Sequence, residues 1–369
     1  MQPAQIIVLA APLFVALIAL EFWLGLRRGR NTYRLNDALS SLSLGLMSQL
    51  VGGLTKLFTL GVYLWVYEHW AWFPQLSAAS VWVWVAALLL YDFLYYWHHR
   101  FGHTSALFWA AHAVHHQSED YNLSTALRQT SSGWVAGWIF YLPMAVIGFP
   151  PLVFVSVGLI DLLYQYWVHT QQIGRLGWFD RWFCSPSNHR VHHAVNDAYL
   201  DRNYGGIFIF WDRLFGSFQE ELDAQPCVYG TRDALRSWNP WVANWHVYGQ
   251  LLRKTSSVPG LINKLRVWWE PAHWQPAGQE SRAHPPFDPY AQQRFDPPLP
   301  PQRAWLAVLL FLLMLAVTMV LLWNSHLLSV WQQLASLALV GLGLWAVAWL
   351  CSAPISDRID HSPAAQRKC

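Results

Sequence analysis

The reading of this chain turns on VWVWVAALLLYDFLYYW, residues 81–97, followed without a break by HHRFGHTSALFWAAHAVHHQSED, residues 98–120. The first part is long and apolar enough to enter a bilayer, whose hydrocarbon core asks for roughly 20 apolar residues. The second gathers six histidines, His98, His99, His103, His112, His115 and His116, where that span reaches the surface. Apolar helices rarely end in so many imidazoles unless these share a task.

Working outward, composition agrees with a membrane protein. Apolar residues make up 54% of the 369 and charged residues only 12%, about half the charge of a soluble domain. The 25 tryptophans suit membrane–water interfaces. A net charge of +3 gives no patch for nucleic acid, and the four cysteines lie too far apart for a disulfide framework or a thiolate metal site. Further spans are predicted at 6–26, 44–67, 80–97, 304–323 and 327–350. The segment 133–168 is predicted to turn at Phe149-Pro150-Pro151 into two short helices, spanning or re-entrant. The N-terminus does not read as a cleavable signal, since it lacks a basic start and its apolar run is long. Arginines in LRRGRNTYR, residues 26–34, place that loop in the cytoplasm by the positive-inside rule. Counting spans from there brings residues 98–116, His169 and the segment 169–303 to the cytoplasmic face. LINKLRVWWEP, residues 261–271, is expected to lie flat on the membrane, and 281–301 is a proline-rich linker. The fold class expected is all-α, a polytopic helical bundle with a cytoplasm-facing, histidine-rich metal site.

Three boxes carry the chemistry: His99 and His103 in HRFGH; His112, His115 and His116 in HAVHH; His189, His192 and His193 in HRVHH. On a helix, positions i, i+3 and i+4 share a face, so each HxxHH box is expected to aim its imidazoles at one point. Eight ligands exceed the four that zinc takes and point to two metal ions. Imidazole suits iron, zinc, copper and nickel alike. Asp161, Gln165 and His169 recur every fourth residue in an apolar helix, a costly polar stripe that adds His169 to the ligand candidates. His246 is a further candidate. His98 lies about 100° around the helix from His99 and reads as a bystander, while His69, His273, His284, His326 and His361 are isolated. Asp92, seven residues before His99, is expected on its face, where a carboxylate can fix an imidazole tautomer. Glu119 could serve likewise, and Asn188, Asp197 and Asp201 flank the third box.

These motifs resemble the fatty acid hydroxylase and sterol desaturase superfamily. The stretches that carry the resemblance are YYWHHRFGH, HAVHHQSEDYNLSTALRQ, LLYQYWVHT, SPSNHRVHHAVND, DRNYGGIFIFWDRLFGSFQEE and VYG, across residues 80–250. SEDYNLSTALRQ is similar to the branch that cleaves ether lipids, the alkylglycerol monooxygenases. The resemblance implies a diiron centre on His99, His103, His112, His115, His116, His189, His192 and His193, with His169 a further ligand. It implies roles at the site or substrate channel for Glu119, Asp120 and Asn122. Asn188 departs from the pattern, which commonly has histidine there. The chain is expected to divide into N-terminal transmembrane helices (1–79), a catalytic core that carries the resemblance (80–250), an interfacial helix with linker (251–303), a terminal transmembrane pair (304–351) and a cytoplasmic tail (352–369).

The activity so implied is an O2-dependent monooxygenation next to the ether oxygen of an alkylglycerol lipid, giving a fatty aldehyde and a glycerol derivative. The expected substrate is a membrane lipid, and the overall character of the sequence, more than any motif, gives a bacterial inner membrane as the expected location. Electrons come from an external reductant, tetrahydrobiopterin in the animal enzymes, although no pterin-binding motif is recognisable. Rival readings are a sterol, fatty acid or carotenoid hydroxylase or desaturase of the same superfamily, a membrane metal-binding or transport protein, and a single-zinc hydrolase. A transporter asks for ligands near mid-membrane, a zinc hydrolase for one open site and a base; neither asks for eight imidazoles at one face.

Overall fold

The structure, a computed structural model, describes residues 3–278 and 287–352. Residues 353–369 of the expected tail, part of the proline-rich linker, His284 and His361 lie outside the described residues. In chain order the helices are α1 Pro3–Arg27, α2 Leu35–Trp70, α3 Val81–Thr104, α4 Ala106–His116, α5 Leu123–Ala126, α6 Leu142–Ile147, α7 Pro151–Trp167, α8 Phe179–Trp182, α9 Pro186–His192, α10 Phe210–Leu214, α11 Pro240–Ser257, α12 Leu261–Trp269, α13 Pro301–Trp323 and α14 Val330–Cys351. Among the described residues there is no strand, only isolated bridges such as Phe183 with Phe208.

Among the described residues, four helical stretches are long and apolar enough to cross a membrane: Ile7–Arg27, Leu35–Thr55, Pro301–Trp323 and Val330–Cys351. Helix α3 is not among them, because from Tyr91 onward it carries Asp92, four tyrosine and tryptophan rings, Arg100 and three histidines. At 24 residues it is nonetheless about 36 Å long. Helix α2 begins nine residues before the expected Leu44. Its first turns carry Asn36, Asp37, Ser40, Ser41 and Ser43, all buried, and hydropathy is blind to a helix whose polar face is packed inside the protein.

The chain turns at Phe149-Pro150-Pro151 as expected. Gly148 ends α6 with φ 109°, a left-handed conformation that favours glycine, and a Cβ there would stand 2.5 Å from the Phe73 carbonyl. That contact, with hydrogen bonds from Trp72 and Phe73 N–H to the Val146 and Ile147 carbonyls, docks the turn on the α2–α3 connection. Helices α3 and α7 therefore start from the same end and pack side by side in the same direction. The limb before the turn is short: two 3-10 turns, Gly133–Val135 and Gly137–Tyr141, then the six residues of α6. Tyr63, Val83, Ala87, Met144, Val153 and Val157 close the core between α2, α3, α6 and α7.

Helices α13 and α14 pair with each other and bury Phe311, Met314, Val340 and Leu344 against Leu39, Met47 and Leu50 of α2. Helix α12 packs on α4 and α11, with Val267 inward and Leu261, Ile262, Leu265 and Trp269 exposed along one side. An amphipathic, basic helix with that stripe suits a membrane surface.

Candidate metal centre

Side-by-side α3 and α7 deliver their C-terminal ends to one place, where α4 and α9 meet them. There the nine candidate histidines form two groups: His99, His103, His112, His116 and His192; and His115, His169, His189 and His193. Within each group the nearest ring nitrogens lie within 4.8 Å of one another. The groups adjoin, with the His116 and His193 rings stacked at 4.3 Å.

The two HxxHH boxes do not each converge on one point. In each, the i and i+4 histidines serve one group and the i+3 histidine serves the other. His112 and His116 go to the first group and His115 to the second, whereas His189 and His193 go to the second and His192 to the first. The 3.6-residue turn explains this, since i+3 and i+4 point about 100° apart. Side chains placed so can face one site together from far away but must diverge when two sites lie close.

Backbone carbonyls hold the rings. Nδ1 of His99 contacts the Tyr204 carbonyl at 2.8 Å, His115 that of Arg128 at 2.9 Å, His169 that of Gln165 at 2.7 Å and His192 that of Arg202 at 3.0 Å. A ring N–H donated from Nδ1 leaves the Nε2 lone pair for a metal. Those Nε2 atoms converge: His112 lies 3.0 Å from both His99 and His116, and His169 lies 3.1 Å from both His115 and His189. Nε2 of His103, His192 and His193 is buried with no hydrogen-bond partner, a costly state for a polar atom. Burial holds His112, His116, His189, His192 and His193 well below the ordinary histidine range, and His115 at about 4. Imidazoles that converge in this way, three of them with a buried Nε2 that has no hydrogen-bond partner, fit a metal, and two adjoining groups of five and four fit two.

The acidic candidates sit elsewhere than expected. Asp92 accepts hydrogen bonds from Ile207 N–H (2.6 Å), Phe208 N–H (3.2 Å) and Trp211 Nε1–H (2.8 Å), not from an imidazole. It stands on the right helix face, but the 201–217 segment comes between. Gly206 makes that approach, because a Cβ there would lie 2.6 Å from Asp161 Oδ1 and 2.9 Å from Asp92 Oδ1. The carboxylate that does reach a ligand candidate is Asp201, 3.5 Å from Nδ1 of His103. Glu119 is buried and accepts from Phe295 N–H at 2.8 Å. Asn122 caps α5 and donates to the Thr32 carbonyl. Asn188 donates to the Asp180 and Phe183 carbonyls, and Asp197 pairs with Arg232 on the surface. His246 joins neither group; it contacts Gln250 at 3.1 Å.

Sequence reasoning passed over three residues. Asn203 has φ 58°, a left-handed conformation in which asparagine is enriched. Its amide donates to the Asn188 and Gln219 carbonyls and accepts from Gln219 N–H. It thus holds the turn from Arg202 to Tyr204, whose carbonyls orient His192 and His99. Asp212 grips the same turn through Tyr204 and Gly205 N–H, both at 2.8 Å. Arg128, fully buried, donates to the Val114 carbonyl at 2.7 Å and to Ser40 and Ser41, so it caps α4 while its own carbonyl takes His115. A polar Asn between Arg and Tyr carries no periodic signal, whereas a lone Arg between apolar segments could have raised the question.

A narrow cleft of about 100 Å³ opens beside the first group. His99 and His112 line its inner end, Leu107, Phe108, Val135 and Ala136 give apolar walls, and His98 also faces it. His98 is a half-buried lining residue of this cleft and belongs to neither histidine group.

The fatty acid hydroxylase family model matches residues 84–217, which hold all nine histidines. An alkylglycerol monooxygenase of Danio rerio is 37% identical over 98% of this chain and 80% of that protein. One of Homo sapiens is 38% identical over 72% of this chain and 59% of its own length. An ornithine lipid hydroxylase of Rhizobium tropici is 28% identical over 36% of this chain and 41% of its own length. No solved structure matches the chain. Likeness to the Danio rerio protein along nearly the whole chain, with the fatty acid hydroxylase match over the histidines, shows that this chain belongs to the alkylglycerol monooxygenase family.

Proposed function

We propose that the protein is a membrane-bound, O2-dependent monooxygenase that hydroxylates the carbon next to the ether oxygen of an alkylglycerol lipid. The observation that carries this is the pair of adjoining all-imidazole groups, the first of which lends His99 and His112 to the lining of a cleft with apolar walls, in a chain similar to alkylglycerol monooxygenases. His99, His103, His112, His116 and His192 hold one iron ion, and His115, His169, His189 and His193 a second. Bound there, two irons supply the redox chemistry that puts one oxygen atom of O2 into an aliphatic C–H bond.

The chain's own residues bind and orient. Carbonyls of Gln165, Arg128, Arg202 and Tyr204 hold the ligand rings, and the apolar walls at Leu107, Phe108 and Val135 keep water from the reacting carbon. Asp92, Glu119 and Asn122 act as positioning residues: Asp92 through the 207–211 segment, Glu119 through Phe295, and Asn122 through α5. The product of hydroxylation is a hemiacetal. Its C–O bond to glycerol breaks as its hydroxyl proton passes to the leaving oxygen, giving a fatty aldehyde and a free glycerol hydroxyl.

The histidine end of the bundle faces the cytoplasm in this reading, because the α1–α2 loop carries Arg27, Arg28, Arg30 and Arg34; in a bacterium the membrane is the inner one. An external two-electron reductant, tetrahydrobiopterin or another, completes the balance. The test is purified, iron-loaded protein in nanodiscs with alkylglycerol, O2 and a panel of reductants. Aldehyde that appears only with O2 and reductant supports the reading; turnover of sterols or fatty acids instead, or one metal per chain, overturns it.

A further inference from the structure

We infer that Thr130, Ser132 and Tyr248 form a hydroxyl subsite that binds the polar end of the substrate, so that the alkyl chain leaves along the apolar walls. The inference rests on the lipid-oxidation reading above and deepens it. All three residues line the cleft that ends on His99 and His112, and they are its compact polar patch. Tyr248 Oη donates to Ser132 Oγ at 2.9 Å, Ser132 Oγ and Thr130 Oγ1 lie 3.1 Å apart, and Ser132 N–H donates to Thr130 Oγ1 at 3.1 Å.

A hydroxyl carries one donor and two acceptor lone pairs, and that inventory can be followed along the chain. With Tyr248 donating to Ser132 and Ser132 donating to Thr130, the Thr130 proton and a lone pair on Tyr248 Oη are left unspent. One free donor and one free acceptor on the same wall match a pair of neighbouring hydroxyls on a ligand, the chemistry of a glycerol end. The subsite is also fixed relative to the imidazoles. Thr130 follows two residues after Arg128, whose carbonyl holds His115, and Asn244 Oδ1 pins the N–H of Ser131, between Thr130 and Ser132, at 2.8 Å.

Direction follows from the other wall. Val135 is 52% exposed, with Trp134 and Ile139 beside it also exposed. An alkyl chain leaving past Val135 and Phe108 continues into lipid, while the ether-linked carbon, three bonds from the nearer hydroxyl-bearing carbon, stays near the imidazoles. A lipid seated the other way would bring its hydroxyls to the apolar rim and leave both unspent groups without partners.

The test compares a 1-O-alkylglycerol with the methyl ether of the same chain, which lacks both hydroxyls, on metal-loaded wild type, Tyr248→Phe and Thr130→Val in nanodiscs. Equilibrium binding and turnover are both measured; bilayer partitioning cancels in the ratio of variant to wild type. We expect Tyr248→Phe to weaken alkylglycerol binding about tenfold, the worth of one hydrogen bond, chiefly in KM. Methyl ether binding should change less than about twofold, with metal content unaltered. Equal losses for the two ethers, or none for alkylglycerol, would overturn the subsite. If wild type binds alkylglycerol in preference to the methyl ether but oxidises neither, the subsite stands and the reaction assigned above fails.

Discussion

At the residue scale, the division of each HxxHH box between two groups makes a specific expectation. His189→Ala and His192→Ala remove neighbouring imidazoles from different groups. Each should lower bound metal from two per chain toward one and cut aldehyde formation by about 100-fold or more, measured by metal analysis and turnover. A single shared metal would instead be lost entirely in both. Asn203 separates conformation from hydrogen bonding. Asn203→Gly keeps the left-handed backbone but loses three hydrogen bonds, and Asn203→Ala loses both. We expect a cost of roughly 2–4 kcal/mol for the glycine and about 1 kcal/mol more for the alanine, read by thermal unfolding. Asp201→Asn, which keeps shape and removes charge beside His103, should weaken metal binding 10–100-fold in a competition titration.

At the scale of elements, Arg34 is the knot between α2, the segment after the second box and the proline-rich linker. It lies 3.0 Å from Asp120 Oδ2, 3.4 Å from Asp37 and 3.5 Å from Glu119, and donates to the Phe295 carbonyl at 3.0 Å. Asp37 and Asp120 are buried, and removing the cation from a buried ion pair costs about 3–5 kcal/mol. Arg34→Ala should therefore destabilise the protein by that order and open residues 287–300 to protease; Arg34→Lys should recover only part, lacking the planar fork. A linker still protected in Arg34→Ala would show that its other contacts, Phe295 on Trp238 at 5.0 Å and the hydrogen bonds from Phe295 N–H to Glu119 and from Asn36 to Asp296, suffice without it.

For the whole molecule, the metal centre joins α3, α4, the end of α7 and α9, elements brought together from residues 99 to 193. Removing metal leaves nine imidazoles facing one another without a partner charge. Chelation should lower the thermal midpoint by about 5 °C or more and expose the 199–217 turn to protease first, since its carbonyls are bonded to the rings. Readdition of ferrous iron should restore both. The terminal pair α13–α14 covers Leu39, Met47 and Leu50 of α2.

Much of this was legible in the sequence. The apolar runs of α1, α13 and α14, the Phe149-Pro150-Pro151 turn and the nine histidines all follow from local composition and spacing. His169 followed from a four-residue polar stripe that an apolar helix does not carry idly. What periodicity could not supply was the polar start of α2, because a buried serine face looks like a loop to hydropathy, and the partners of Asp92, because face and register say where a carboxylate stands but not what arrives beside it. The residues and their local pitch determined that imidazoles would gather at the ends of two helices. Only the tertiary structure decided which five and which four face each other, and that Asp201, not Asp92, reaches a ring. Those choices depend on contacts between segments some hundred residues apart, where a shift of one side chain's width changes the partner.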